Sequence, residues 1–309
     1  MQGSVGMGGS LGTRVVRAPR RRPVRTLRIP GLGRIAFTRD PGEAGLFASE
    51  YFSSTLQAIH RDGDGKILDV RDLGSGLVTD VGVLSLANDF AWPAPSAAAI
   101  NILRLANTHG SGIGTNAAAV TDIKLQTPSS FGGQTRVTGV QSLVQAATAG
   151  TGTTGTQTYR SVATIAYTNT EAVTEWGLFG NLGALGGTGL TDATKSPFTA
   201  GSATTGTVTG ALTASTTTVQ GQANTLIERT SGTNLSWGLI LSNDAAGNSV
   251  ATVGAWYLVA TGAAGQAPAN TETLVIRPVM WDRRQFASIT VNNGDSIQFT
   301  YTLIPNQGG

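Results

Sequence analysis

Short stretches in which apolar and polar residues alternate constrain this chain more than any other feature of its sequence. The clearest is the segment 288–305, SITVNNGDSIQFTYTLIP, whose second half has one apolar face: Ile297, Phe299, Tyr301 and Leu303. A period of two residues is typical of a β-strand with one buried side. The turn signal NNGD between two such runs predicts a closing hairpin that pairs residues 287–291 with 296–303.

Similar runs separated by turn signals recur along the chain. Residues 54–60 and 66–70 flank RDGDG and predict a hairpin, and 158–169 with 172–180 are a second hairpin candidate. The segment TDVGVLSLANDF instead predicts a short helix capped by Thr79. We therefore expect an all-β fold, a β-sandwich or jelly-roll-like body with an extended N-terminal arm and one short helix.

Charge is scarce and unevenly distributed. Charged residues make up 13% of the chain, against about 25% in ordinary globular proteins. Residues 1–39 contain nine arginines and no acidic residue, while the rest carries 12 basic and 18 acidic side chains, a net charge of −6. The arginines are Arg14, Arg17, Arg20, Arg21, Arg22, Arg25, Arg28, Arg34 and Arg39.

These differences divide the chain into three regions. Residues 1–46 are predicted to be a flexible Arg-rich N-terminal arm, because prolines at 19, 23 and 30 rule out a continuous helix. Residues 47–180 and 271–309 are predicted to form the β-sandwich body. Residues 181–270, rich in Thr, Gly and Ala, are predicted to be a β insertion or a second β domain.

The arm is predicted to bind a partner through its first eight arginines, Arg14 to Arg34. Clustered arginines bind phosphates and give salt-dependent affinity for nucleic acid. However, no aromatic residue that could stack on a base precedes Phe37. The Val, Leu and Ile residues between the arginines favour an acidic protein surface, and nucleic acid stays open as the alternative.

Catalytic and metal-binding signals are weak. The chain has no cysteine and two histidines, His60 and His109, and no G-x-S-x-G motif. The DGDGKILD segment lacks the spacing of a calcium loop. The Gly-rich segment GSGIGTNAAAVTD (110–122) lacks the pattern of a phosphate loop, so we expect an ordered loop at a subunit interface there. No catalytic, cofactor or metal residue is predicted, and no enzyme is expected.

No membrane association is expected either. No apolar stretch approaches the roughly 18 residues of a membrane span. The N-terminus also lacks the apolar core of a signal peptide.

Two tryptophans lie beside charges, in TEWGLF (174–179) and MWDRRQF (280–286). Arg283 and Arg284 could pair with Glu175 if their strands are neighbours. In that case we expect Trp176 and Trp281 to be core residues, with the ion pair beside them on the surface. The alternative is an exposed platform for a sugar or a partner, so Trp176, Trp281, Arg283 and Arg284 are the possible interface residues.

Three segments resemble a group of tailed-bacteriophage structural proteins. They are HGSGIGTNAAAVTDIKLQTP, YRSVATIAYTNTEAVTEWGLF and MWDRRQFASITVNNGDSIQFTYTL, within residues 54–180 and 278–304. The resemblance implies a virion component without enzymatic activity. Two features depart from the group's pattern: about a hundred residues separate the G-L-F and W-D-R segments here, and the Arg-rich arm has no counterpart.

The favoured hypothesis is a virion protein that decorates or cements the capsid shell, binds phage capsid proteins and forms a homo-oligomer, with a trimer favoured. The first alternative is a tail, baseplate or fibre-attachment protein with tail proteins as partners. The second is a carbohydrate-binding adhesin that uses Trp176, Trp256 or Trp281. A glycosidase with two carboxylates is the enzyme hypothesis, but no pair of acids is marked in the sequence.

Overall fold

The computed structural model of the chain describes residues 23–29, 33–40, 43–44, 52–91, 106–144, 158–180, 192–195, 197–208, 225–243 and 250–305. The chain divides into two compact units, Met1–Ser49 and Glu50–Gly309. This boundary lies close to residue 46, the predicted end of the arm.

The N-terminal unit contains a small antiparallel sheet. Its strands, in spatial order, are β1 (Pro23–Ile29), β2 (Gly33–Asp40) and β3 (Glu43–Ala44). The register places Leu27 opposite Ile35 and Arg28 opposite Arg34. Extended backbone was predicted here, but its pairing into a sheet was not. Five of the predicted partner-binding residues lie outside the described residues: Arg14, Arg17, Arg20, Arg21 and Arg22.

The second unit is built from antiparallel strands and one helix among its described residues. In chain order they are β4 (Phe52–Arg61), β5 (Ile67–Gly74), β6 (Leu77–Val78), α1 (Asp80–Ala91), β7 (Ala106–Gly112), β8 (Arg136–Thr138), β9 (Val140–Val144), β10 (Thr158–Ala166), β11 (Glu171–Gly180), β12 (Ala193–Lys195), β13 (Phe198–Ser202), β14 (Thr205–Val208), β15 (Thr225–Arg229), β16 (Ser236–Asn243), β17 (Val250–Val253), β18 (Tyr257–Leu258), β19 (Leu274–Pro278), β20 (Met280–Val291) and β21 (Ser296–Pro305).

Two five-stranded sheets form a β-sandwich. The first has the order β5-β4-β21-β10-β9 and the second the order β6-β20-β11-β7-β8. Their inner faces share one apolar core, in which Trp176 of β11 stacks on Tyr301 of β21 with ring centroids 5.6 Å apart. The predicted all-β sandwich is confirmed, and alternation of buried residues along β21 is its clearest sequence signal.

The predicted helix and first hairpin are also present. Thr79 caps α1, because its Oγ1 accepts a hydrogen bond from the Gly82 amide at 3.1 Å. Strand β4 pairs with β5 across the RDGDG turn. Oδ1 of Asp62 accepts hydrogen bonds from the amides of Asp64 and Lys66, so this carboxylate closes the turn.

The other two predicted hairpins are wrong, because their strands lie in different sheets. Strands β10 and β21 pair with each other in the first sheet, while β11 and β20 pair in the second. The residues 292–295 and 167–170 therefore carry the chain from one sheet to the other. The inward-facing residues of two stacked sheets alternate just as those of a hairpin do, so the sequence pattern does not distinguish the two cases.

The two crossings lie side by side. The Tyr167 amide donates to the Asp295 carbonyl and the Gly294 amide donates to the Tyr167 carbonyl, both at 2.9 Å. Gly294 has a φ of +94°, a conformation that favours glycine. The NNGD turn is thus required by the crossing and not by a hairpin.

The insertion between β11 and β20 forms a third sheet with its own core. Its order is β12-β19-β15-β16-β17-β14-β13, with β18 paired to β16. The core residues are Phe198, Val208, Ile227, Ile240, Ala251, Val253, Trp256, Leu274 and Ile276. Strand β19 belongs to this sheet, although residues 271–309 were predicted to be part of the sandwich body.

The insertion begins and ends at nearly the same point. The Gly180 amide donates to the Val279 carbonyl at 2.9 Å, and Phe179 lies opposite Met280 in the β11–β20 ladder. The third sheet is therefore placed between two strands that already pair with each other.

Candidate functional site

The arginines of the N-terminal unit that the structure describes lie on two adjacent strands. Arg25 and Arg28 are on β1, and Arg34 and Arg39 are on β2. The unit Met1–Ser49 contains nine arginines and two acidic residues, Asp40 and Glu43, so positive charge is in large excess. Its chemistry is that of a cation that binds phosphate or carboxylate groups.

The tryptophans singled out from the sequence are buried in the cores. Trp176 is fully buried, and its indole N–H donates to Nδ1 of His109 at 3.2 Å. Trp281 is 4% exposed and Trp256 is 3% exposed. None of these three rings offers a face to solvent in this chain, so an exposed sugar platform is not formed by them.

The predicted pairing of Glu175 with Arg283 is present, but it is buried instead of lying on the surface. Glu175 is on β11 and Arg283 is on the neighbouring β20. Nη2 of Arg283 donates to Oε2 of Glu175 at 2.7 Å, and Nε donates to the same oxygen at 3.1 Å. Nη1 of Arg283 reaches Oδ2 of Asp122 at 2.5 Å, which completes a triad of charges.

This triad fixes the segment that follows β7. Oε1 of Glu175 accepts hydrogen bonds from the amides of Gly114 and Thr127, and Oε2 accepts one from the amide of Gln126. A Cβ at Gly112 or Gly114 would lie within 2.6 Å of Oε1 of Glu175. The glycines of GSGIG are thus explained by the approach of a carboxylate, and residues 110–112 belong to β7 and not to a loop.

Although burial alone lowers the pKa of Arg283, hydrogen bonds and charge from Asp122 and Glu175 outweigh it and raise the pKa above its ordinary value. The guanidinium therefore keeps its charge in the protein interior. The triad has the properties of a structural clamp, since the Arg283 guanidinium and the Glu175 carboxylate are both hydrogen-bonded within the chain.

Arg284 does not pair with Glu175. Its Nη1 donates to the Ser75 carbonyl in the connection between β5 and β6. Residues next to each other on a strand point to opposite faces, which explains why only Arg283 reaches the carboxylate.

Asp282 is a buried carboxyl that the sequence analysis missed. Neither of its side-chain oxygens makes a hydrogen bond of good geometry among the described residues, although the Tyr301 hydroxyl and the amides of Leu77 and Arg283 lie close enough to influence it. A Cβ at Gly76 would collide with these oxygens. Burial raises the pKa of Asp282 to about 7, although the Tyr301 hydroxyl and the charge of Arg284 lower it. This position has the electrostatics of a group that changes its protonation near neutral pH.

The two histidines have structural partners. Nε2 of His109 lies 2.8 Å from Oγ of Ser161, while Nδ1 accepts the indole N–H of Trp176. Nε2 must therefore carry the proton and donate to Ser161, so it is not placed to remove a proton from that hydroxyl. Burial lowers the pKa of His109 to about 3. His60 lies 3.1 Å from Oδ2 of Asp295 beside the crossing turns.

A network of charges joins the insertion to the sandwich. On the insertion side, Glu228 accepts hydrogen bonds from Lys124 at 2.7 Å and from Arg277 at 2.5 Å. Asp192 pairs with Arg277 and, at 2.7 Å, with Arg136 of β8. Four members of the network line a cleft of about 200 Å³: Lys124, Arg136, Asp192 and Arg277. Isolated charges inside apolar runs, such as TLIER and LVIRP, were the available sequence signal for it.

We predict that Glu228→Gln loosens the insertion without unfolding the sandwich. Glu228 is 1% exposed and joins Lys124 of the sandwich to Arg277 of the insertion, so neutralising it removes the ion pair between the two parts and leaves Arg277 with Asp192 alone. Hydrogen exchange read by mass spectrometry should become faster in peptides from 225–278 and stay unchanged in peptides from 160–180. Equal acceleration in both regions would contradict two separate cores.

No group of three or more His, Asp or Glu side chains that could hold a metal occurs in the described part of the chain. Within the same part, no helix is both long enough and apolar enough to cross a membrane.

Comparison of the chain with protein-family models, curated proteins and solved structures gives no match.

Proposed function

We propose that this protein is a non-enzymatic structural component of a tailed-bacteriophage virion, which decorates or cements the capsid shell. The supporting observation is the placement of the three segments that resemble such proteins. They form β7, β11 and β20 at the centre of one sheet, and β10 and β21 side by side in the other. Segments far apart in sequence thus make one contiguous module, as expected if the resemblance reflects a common fold.

The two departures from the group's pattern also fit this proposal. The arginine-rich N-terminal region belongs to a compact unit of its own, and the insertion has its own sheet and core. Each adds contact surface while the central strands of the sandwich are kept. A cationic region on an otherwise acidic chain suits an acidic protein surface, with nucleic acid as the alternative partner.

Locating the protein on purified particles tests the proposal directly, by cryo-EM or with a gold-labelled antibody. Density or label spread evenly over the shell is the expected result. Label at one vertex or along the tail would assign the protein to a connector or to fibre attachment. Absence from particles would overturn the virion proposal altogether.

Deletion of residues 1–39 is expected to leave a folded, soluble body that no longer binds assembled shells. The deleted residues lie within the separate N-terminal unit and contain nine of the 21 basic residues. Circular dichroism and thermal melting would measure folding, and co-sedimentation would measure binding. Unfolding of the truncated chain would show that this region is part of the core.

Measuring how binding depends on salt concentration distinguishes a protein partner from nucleic acid. Binding of the full-length chain to shells that survives moderate salt supports a protein partner, because buried apolar contacts are not screened. Binding to any DNA that weakens steeply with salt supports nucleic acid.

A further inference from the structure

The cleft of about 200 Å³ lies where the insertion meets the sandwich, and both parts contribute to its walls. Lys124, Arg136 and Phe179 come from the sandwich, while Asp192 and Arg277 come from the insertion. A space of this volume holds several water molecules or one small molecule of a few atoms. The junction between the two parts is therefore not completely filled by side chains.

The charges around the cleft leave one positive charge in excess. Three cations, Lys124, Arg136 and Arg277, share two carboxylates, Asp192 and Glu228. Both oxygens of each carboxylate already accept hydrogen bonds from these cations. Burial lowers the pKa of Arg277 to about 10, and the positive charge of Arg136 adds to this shift. The two guanidiniums thus repel each other, and an anion in the cleft balances the excess charge.

Hydrogen-bond donors on the walls of the cleft remain unused among the described residues. The Lys124 ammonium has three N–H groups and donates only to Glu228, and its side chain is 42% exposed. Arg277 donates through Nε and Nη1, which leaves Nη2. Oε1 of Gln126 accepts from the amide of Asn116, so the NH₂ group of this side chain is left to donate. These donors favour a ligand that is negatively charged and accepts hydrogen bonds.

The rest of the wall is largely apolar and strengthens such an interaction. Leu125, Pro128 and Phe179 line the cleft beside the charged groups. The Arg136 guanidinium lies 5.0 Å from the centre of the Phe179 ring, and its side chain is 6% exposed. Because these surroundings exclude much of the solvent, a charge-assisted hydrogen bond formed here is stronger than one on an open surface.

We propose that this cleft binds a small oxyanion, a carboxylate or a phosphate group, between the sandwich and the insertion. The anion accepts hydrogen bonds from Lys124 on the sandwich and from Arg277 on the insertion. Its binding therefore stabilises the junction of the two parts. The proposal is independent of the virion function, because it rests on the charges and donors of this cleft.

Titration calorimetry with inorganic phosphate and with acetate tests the proposal on the full-length protein. At constant ionic strength, set with sodium chloride, one of these anions is expected to bind each chain once, and the tighter one identifies the group that the site prefers. Lys124→Met should raise its dissociation constant about tenfold, because a charge-assisted hydrogen bond is lost. Lys124→Arg keeps the charge and should retain binding. Lys66→Met, which removes the same charge from the exposed β4–β5 turn, is the matched control and should bind as the wild type does.

Hydrogen exchange read by mass spectrometry gives a second measurement. The anion that binds is expected to slow exchange in peptides from 225–278 of the wild type and of Lys66→Met, but not of Lys124→Met. Peptides from β4 should not change in any of them. Failure of both anions to bind at millimolar concentration would overturn the proposal. Equal binding by the wild type and Lys124→Met would overturn it as well, and so would binding without slower exchange in 225–278.

Discussion

Replacing Arg283 by methionine is expected to lower the free energy of unfolding by about 3–5 kcal/mol, the usual cost of leaving one buried charge without its partner. Glu175 is fully buried and depends on Arg283 for its only opposite charge among the described contacts. Its remaining hydrogen bonds come from the amides of Gly114, Gln126 and Thr127. The segment after β7 should therefore loosen together with the strand pair. Urea denaturation followed by tryptophan fluorescence measures the change.

Arg284→Met is the matched control for this experiment. Arg284 is the next residue on β20, but it donates to the Ser75 carbonyl and touches no buried carboxylate of the triad. Its loss should cost about 1 kcal/mol. In a double-mutant cycle, Glu175→Gln with Arg283→Met should cost less than the sum of the two single changes. Additive effects would show that the two side chains do not act as a pair.

The variant Asp282→Asn is expected to change how stability depends on pH. Burial raises the pKa of Asp282 to about 7, while the unfolded chain has a value near 3.8. Between these values the folded state holds a proton that the unfolded state has lost, so the stability contributed by this group is present below pH 3.8 and is lost as pH rises through 7. A difference of about three pKa units corresponds to a change on the order of 4 kcal/mol.

His109 acts in the opposite direction. Burial lowers its pKa to about 3, against 6.5 in the unfolded chain. The unfolded state holds the extra proton between these values, so stability increases as pH rises from 3 to 6.5. The two buried groups thus oppose each other over most of the acidic range.

Thermal or urea unfolding at pH 4.5 and at pH 7.5 separates the two contributions. Relative to wild type, Asp282→Asn should gain stability at pH 7.5 by on the order of 2–4 kcal/mol compared with its value at pH 4.5. His109→Gln should show the opposite difference, with its largest relative gain at low pH. Parallel pH profiles for wild type and Asp282→Asn would mean that Asp282 is ionised in the folded protein without penalty.

The strands and the helix were predictable because their signals are local. Burial of one face gives β21 its period of two, the Asp-Gly turn marks the β4–β5 hairpin, and Thr79 marks the start of α1. The pairing of strands was less accessible, since β10 and β20 each cross to the other sheet while keeping the alternation of a hairpin. A sequence pattern shows which face of a strand is buried, and it does not show which strand lies beside it.

The buried charges illustrate the same limit for the candidate site. The pairing of Glu175 with Arg283 was predictable because both residues lie in recognisable strands, but its burial depends on the segment 113–128 covering it. The burial of Asp282 was not predictable, because an acidic residue next to Arg283 and Arg284 is usually a surface residue. The Asp192–Arg277–Glu228 network joins residues from distant parts of the chain, so only the folded insertion brings it together.

The point where the insertion leaves and rejoins the sandwich determines what could replace it. Because Gly180 and Val279 share a hydrogen bond, the sandwich requires only that whatever lies between them begin and end a few ångströms apart. A short turn would meet this condition, and so would another independently folded domain with adjacent termini. We therefore expect that another domain can be displayed at this position while the strands of the sandwich keep their register.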